Sequence, residues 1–394
     1  MPTRQKFNLL PVEDLFEKVG RIREIMSQND VDAILIADNG NKYYLTGRIF
    51  SGFILLTRED VQWFVKRPSI FEDENITLIR KVENIAEHVD TTKLGRMAFE
   101  LSQMSYADVT RYAKAFGVQD FANADPILMG SRAVKTAYEL SRIEQSGIML
   151  SRVYAKVPGM YEPGMSDMEL QFKIETLSRK EGCLGIFRIN GQEMEFFMGN
   201  VLVGDNADNP SPYDFAMGGA GADPSLPVGA NGTIIKRGNA VMVDTNGNFT
   251  GYMTDMTRTF ACGQLSAEAC KAHQLSIEIC RRLSEMGKPG VKASDLYAEA
   301  VRMASDAGLE DRFMGHRSKA GFVGHGVGIS INEWPVIAPR SKDVLHEGNV
   351  IALEPKFVID GAGAVGVENT YVVEDGGMRR LTHAPEELTA FIDS

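Results

Sequence analysis

VMVDTNGNFTGYMTDMTRTF, residues 241–260, carries two acidic residues inside sequence that otherwise reads as a pair of strands. Valine, methionine, tyrosine, threonine and phenylalanine favour a pleated, half-buried surface. Asp244 ends the apolar run 240–244, and Asp255 stands in the middle of the run 251–260. The pattern recurs twice downstream, in 349–354, which closes on Glu354, and in 366–373, which contains Glu368. Burying an isolated carboxylate costs several kcal/mol in practice, so each must be paired, protonated or bound to a cation. Arg258 is read as the only cation of these strands, and one guanidinium does not neutralise four acids. A shared cation site follows.

The fifth donor is His325, in FVGHGVGI (322–329), where the flanking glycines allow close backbone approach to a crowded site. One imidazole and four carboxylates form a hard, oxygen-rich set. It suits a pair of divalent ions, Mn first, with Co, Zn or Fe as alternatives, better than Cu(I) or a structural zinc. Two close cations can hold a bridging hydroxide at neutral pH and polarise a carbonyl, the arrangement of two-metal hydrolysis.

Around this centre the chain reads as two domains, the default for 394 residues, with a boundary near residue 130. Residues 1–130 alternate helix and strand: a helix over 12–28, a buried strand over 31–37, a hairpin of 53–57 with 61–65, and a helix over 107–116. Residues 131–394 open with helical stretches 133–157 and 165–181. A Gly/Pro/Asn/Asp-rich stretch, read as a long loop without regular structure, follows over 198–231, and helices at 266–286 and 293–307 lie between the acid-bearing strands. The fold class expected is α/β (α+β).

With 42 basic against 53 acidic residues, the net charge of -11 argues against nucleic acid or an anionic membrane as partner. No run approaches 18 apolar residues, and the N-terminus lacks the apolar core of a leader peptide. The cysteines 183, 262, 270 and 280 have no CxxC spacing, which fits reduced thiols of a cytoplasmic protein.

The segments VMVDTNGNFTGYMTDMTRTF, GHGVGISINEWP, ALEPKF and GVENTYVVEDGG resemble the pita-bread-fold metallopeptidases. That family includes aminopeptidase P, prolidase and methionine aminopeptidase, with creatinase as a metal-free relative. The resemblance runs from about residue 130 to the end, and the first third resembles the creatinase-type N-terminal domain. It implies a curved antiparallel sheet flanked by helices, a homodimer, and a small peptide or amide substrate of the Xaa-Pro kind. It further implies that Asp244 chelates one metal, that Asp255 and Glu368 bridge both, and that His325 and Glu354 complete the other. Glu354 would take the proton of the bridging water.

Three positions depart from that pattern. The second histidine expected seven residues after the ligand one is Asn332, the arginine expected two residues before the last ligand is Gly366, and the histidine expected before the first strand falls near Val228. These groups hydrogen-bond a peptide carbonyl, and losing one such donor costs about 3–4 kcal/mol of barrier. His316, in MGHR (314–317), and Asn332 are the candidate replacements, each with a plain structural alternative. Val228, Asn332 and Tyr213 are the candidate substrate contacts; Phe215, Asp223, Glu333 and Trp334 are pocket candidates by position. The leading reading is therefore a dinuclear metal-dependent hydrolase, Xaa-Pro peptidase-like. The alternatives are a metal-dependent non-peptidase on the same scaffold, either a ring-opening amidohydrolase or a lyase, and a binding module that has lost catalysis.

Overall fold

Helix Val12–Gln28 buries Val19, Ile22 and Met26, the 3.6-residue stripe that its sequence announces. Along the same face Asp14 and Lys18 form a buried pair at 2.8 Å, and the lysine also donates to the Tyr44 carbonyl at 3.1 Å. Strands Ala33–Ile36, Ser51–Thr57 and Val61–Arg67 follow as the sequence predicts. They belong to a six-stranded mixed sheet with Ile76–Leu78, Met97–Phe99 and Ala122–Asn123. Leu35, Phe53, Leu55, Phe64 and Phe99 form its core against helix Tyr106–Phe116. That helix starts on the Ser105 side chain and stops at Gly117, whose φ of 69° suits a residue without Cβ.

The computed structural model describes residues 6–71, 75–190 and 198–392. Residues 1–5, part of the N-terminal segment weighed above as a leader, lie outside them. The chain folds as two compact units, Met1–Arg132 with Thr136–Tyr138, and Ala133–Lys135 with Glu139–Ser394. No helix among the described residues is long and apolar enough to cross a membrane.

The second unit is built on antiparallel strands. Ala240–Asn248 pairs with Met253–Ala261 and with Gly199–Val203, and Thr389–Ala390 adds in parallel at the edge. A five-stranded sheet runs Glu333–Ile337, Gly324–Gly326, Val350–Leu353, Asn369–Glu374, Gly377–Arg380. A hairpin of Lys356–Ile359 with Gly363–Gly366 lies between the last two acid-bearing segments in sequence. Helix Ala267–Met286, capped by Ser266, buries Ala272, Leu275, Ile279 and Leu283 in the same cluster as Ile351, Leu353, Phe357 and Val365. The mixed α/β class and the antiparallel pairing of the acid-bearing strands are as expected.

One expectation fails. Residues 198–231, read from composition as lacking regular structure, contain the Gly199–Val203 strand. Val201, Leu202 and Val203 are buried, an apolar triplet too short to stand out among the surrounding Gly, Asn, Pro and Asp. Helix Ala137–Tyr154 is likewise shorter than the predicted 133–157, because a separate helix, Asp125–Ala133, precedes it.

Candidate metal centre

Strand alternation puts the five donors on common faces. Asp244 lies directly opposite Thr257, and Asp255 is two residues from Thr257, so both carboxylates project from one side of the hairpin. On the other sheet His325 pairs with Ala352 and Ala352 with Thr370. Glu354 and Glu368 each stand two residues from these partners, on the side that carries the imidazole. The sheets are stitched at this point by the buried Thr370 hydroxyl, which donates to the Asp255 carbonyl at 2.9 Å and accepts from the Asp255 N–H at 2.9 Å. Glu368 N–H donates to Thr257 O at 3.1 Å, and the Thr257 hydroxyl donates to Glu368 Oε2 at 2.7 Å. Buried Tyr154 holds the hairpin from below, its hydroxyl between Val243 O, Thr245 and Met256 O.

The donor atoms converge. One ligand atom each from Asp255, His325 and Glu368 lies within 4.8 Å of the others, and the same holds for Asp244, Glu354 and Glu368. His325 Nε2 is 3.2 Å from Glu354 Oε1 and 3.9 Å from Asp255 Oδ2. Its other nitrogen lies 3.2 Å from the Gly326 carbonyl, which only accepts; Nδ1 therefore carries a proton, and Nε2 faces the carboxylates. Glu368 Oε1 is buried without a hydrogen-bond partner among the described residues. A buried carboxylate oxygen of that kind needs a cation or a proton.

The site also contains a group that sequence reasoning missed. Lys356 is fully buried, and its ammonium lies 2.8 Å from Asp244 Oδ2, 2.8 Å from Glu354 Oε2 and 3.3 Å from Glu368 Oε2. Arg258, read from the sequence as the only cation of these strands, serves elsewhere. Its guanidinium donates to the carbonyls of Thr257, Glu368, Ala384 and Pro385 and to Asn369 Oδ1, at 2.6–2.8 Å. All five donors are thus committed, and Arg258 is a backbone clamp rather than a counter-ion. The signal for Lys356 was in the sequence. It stands two residues past Glu354, on the same alternation, and leads the buried strand Lys356–Ile359.

The charges respond to this packing. Burial raises the Asp255 carboxyl to about 7, helped by the neighbouring Asp244 charge, and burial with the charges of Asp255 and Glu354 pushes Glu368 well up. Burial opposes ionisation of Glu354 too, but Lys356 and His325 outweigh it and hold the group near 2. Burial alone would lower His325; its hydrogen bond to Glu354 and the acids around it carry it instead to about 9. The one ammonium lies nearest Asp244 and Glu354 and reaches Glu368 through Oε2 alone, which leaves Asp255 and the Oε1 of Glu368 without it. The donor set fits a cation on the side of Asp255, His325, Glu354 and Glu368.

The remaining sequence candidates make their contacts away from these ligands. His316 is exposed, 3.1 Å from Arg312 Nη1 and 3.4 Å from Asp208 Oδ2. The Asn332 side chain is bound to Asn190: it accepts from Asn190 N–H at 2.6 Å and donates to Asn190 O at 2.8 Å. Tyr213 is half-buried against Phe215 in a small pocket with Asp208, Ser318 and Lys319. Val228 is buried in its turn, with its N–H on Leu226 O. Glu333 is paired with Lys135 at 3.0 Å, and Asp223 caps a turn at Ser225. Position 366 admits only glycine: φ is +144°, and a Cβ there would sit 2.8 Å from Pro355 O and 3.0 Å from Ser276 Oγ.

Residues 141–375 match metallopeptidase family M24, and residues 18–134 match the creatinase/prolidase N-terminal domain. The chain belongs to metallopeptidase family M24. It is a metal-dependent hydrolase, as the donor set implied. An Xaa-Pro dipeptidase of Pyrococcus horikoshii is 27% identical over 379 residues, covering 94% of this chain and 98% of the relative. The Xaa-Pro dipeptidase of Pyrococcus furiosus is 26% identical over 380 residues, with 94% and 99% covered. Among solved structures, the Xaa-Pro dipeptidase from Bacillus anthracis superposes with a TM-score of 0.79 at 22% identity, covering 95% of this chain and 99% of the other. These structures establish the shared fold.

Proposed function

We propose that this M24 member hydrolyses the amide or peptide bond of a small substrate, of the Xaa-Pro dipeptide kind, with divalent metal held in the centre formed by Asp244, Asp255, His325, Glu354 and Glu368. Mn is the first candidate, with Co, Zn or Fe as alternatives, since hard donors accept all of them. The observation that carries this reading is the buried, unpartnered Oε1 of Glu368 in a cluster where one ligand atom each of Asp255, His325 and Glu368 lies within 4.8 Å of the others. The relatives named Xaa-Pro dipeptidase, matched over nearly their whole length, support the substrate class.

When bound, the cation supplies Lewis-acid polarisation of the scissile carbonyl and acidifies a water. The protein does the rest. The Gly326 carbonyl fixes the His325 tautomer, Thr257 and the Arg258 clamp fix Glu368, and Thr370 fixes Asp255. Glu354 is held ionised by Lys356 and is the candidate proton acceptor, though a carboxylate near 2 is a weak base at neutral pH.

One observation favours a second reading, a non-peptidase on the same centre such as a ring-opening amidohydrolase or a lyase. The candidate replacements for the carbonyl-binding groups are engaged elsewhere, Asn332 with Asn190 and His316 with Asp208 and Arg312, and Gly366 admits no side chain. A panel of Xaa-Pro dipeptides and tripeptides, assayed with each of Mn, Co, Zn and Fe, separates the two. Proline release is expected; its absence under every metal, with turnover of a cyclic amide, establishes the second. A cytoplasmic homodimer remains part of the proposal, on the four free cysteines and the resemblance already described.

A further inference from the structure

We propose that the Lys356 ammonium is a built-in substitute for one of the two cations, so that this centre binds a single divalent ion and Asp244 is a partner of the lysine rather than a metal ligand. The inference rests on the metal-dependent reading above and refines its stoichiometry.

The donor atoms divide cleanly between two positions. Around the first stand Asp244 Oδ2, Glu354 Oε2 and Glu368 Oε2, and the Lys356 Nζ lies among them at 2.8, 2.8 and 3.3 Å. An ammonium has three N–H donors, and three carboxylate oxygens receive them. Around the second stand His325 Nε2, Asp255 Oδ2 and Glu354 Oε1, with the still unpartnered Glu368 Oε1 on the same carboxylate that gives its other oxygen to the lysine. Glu354 thus divides its two oxygens between the ammonium and His325 Nε2, while Glu368 gives Oε2 to the ammonium and keeps an Oε1 without a hydrogen-bond partner among the described residues. A divalent ion entering the first position would have to displace a charged group of zero solvent exposure.

The backbone keeps the lysine there. Lys356 opens the strand Lys356–Ile359, lies directly opposite Gly366, and gives its carbonyl to Met314 N–H at 2.8 Å. Position 366 is where the resemblance expects an arginine; here the basic side chain comes instead from the facing strand. Charge supports the count. Four carboxylates balanced by one lysine and one divalent ion leave one net negative charge, whereas a lysine with two divalent ions leaves one net positive charge among buried groups. Before any divalent ion binds, the same four carboxylates and one lysine carry three net negative charges, which draw a cation in.

The test is a count of ions with a position attached. The full chain, dialysed against Mn2+ and analysed for bound metal, is expected to hold one ion per chain, and anomalous diffraction at the Mn edge is expected to show one peak, beside His325 Nε2. Two peaks per chain, or one peak beside Asp244, overturn the inference while leaving metal dependence intact. No peak overturns both. Two variants read the same point without depending on activity. Asp244→Asn should still bind one Mn2+ with less than a ten-fold change in affinity, whereas His325→Ala should lose more than a hundred-fold. Lys356→Ala, purified with Mn2+ present, should rise to two ions per chain. Loss of the single ion in Asp244→Asn refutes the assignment even if Lys356→Ala fails to fold.

Discussion

Replacing Lys356 with methionine keeps most of the side-chain volume and removes only the charge and its three donors. In metal-free buffer this leaves one oxygen each of Asp244 and Glu354 without the ammonium and leaves Glu368 Oε2 with the Thr257 hydroxyl alone, inside a site where Glu368 already has an orphaned second oxygen. Breaking a buried ion pair by removing one partner costs about 3–5 kcal/mol. With a urea dependence of ~3 kcal/mol/M for a unit of this size, the unfolding midpoint should fall by about 1–2 M. Trp334 lies in the second unit and Trp63 in the first, so the Trp63→Phe background makes tryptophan fluorescence report the unit that holds the site. Adding Mn2+ at about 100 times its dissociation constant stabilises a one-site protein by about 2.7 kcal/mol. The parent should gain about that much, and Lys356→Met should gain roughly twice as much, because a second ion enters the position the ammonium vacated. A loss below about 1 kcal/mol in EDTA would show that the lysine is not a structural counter-ion. Equal gains in parent and variant would show that it does not exclude a second metal.

Arg258→Lys offers three donors where five are used, so at least two of its acceptors lose their N–H; the second unit should lose about 2–4 kcal/mol in the same urea assay, with the Mn2+ count unchanged. Gly366→Ala should cost about 1–3 kcal/mol, from a left-handed φ and a Cβ 2.8 Å from Pro355 O, and Gly366→Arg should be no better tolerated. Wild-type stability in Gly366→Ala would refute the crowding. In the first unit, Glu100 is buried and accepts from the N–H groups of Ala37 and Asp38 and from Asn41 Nδ2; burial, with the Asp38 charge, raises it from 4.5 to about 7. The folded state therefore holds this proton more tightly than the unfolded chain. Its stabilisation is complete below about pH 4.5 and is lost as pH rises through about 7, on the order of 3 kcal/mol in all. Glu100→Gln should remove that dependence, read as the parent-minus-variant difference in Trp63-reported unfolding between pH 5 and pH 8; a difference that stays constant refutes it.

The parts of this molecule that are legible in the sequence are those governed by periodicity. Helix Val12–Gln28 coincides with its predicted span, and Tyr106–Phe116, Ala267–Met286 and Ala293–Asp306 agree within a residue, because amphipathic stripes, Ser caps and Gly stops are local properties. The five donors are legible for a different reason: acids inside strand-forming sequence violate local preference, and such violations mark sites. What composition conceals is the Gly199–Val203 strand, whose three buried apolar residues carry too little pattern to outweigh their Gly- and Pro-rich neighbours. Lys356 is concealed more subtly. Counting acids by residue type and seeking their cations inside the same strands credits Arg258 with a role that its five backbone and amide contacts rule out. Alternation corrects this, since positions 354 and 356 share a face across Pro355, and an acid and a base on one buried face meet. The physical consequence reaches beyond the tally of charge. On the proposal above, a donor set that reads as two-metal by residue type takes one ion because an ammonium lies within 3 Å of two of its four acids, and the charge left uncompensated rather than the number of carboxylates sets the count.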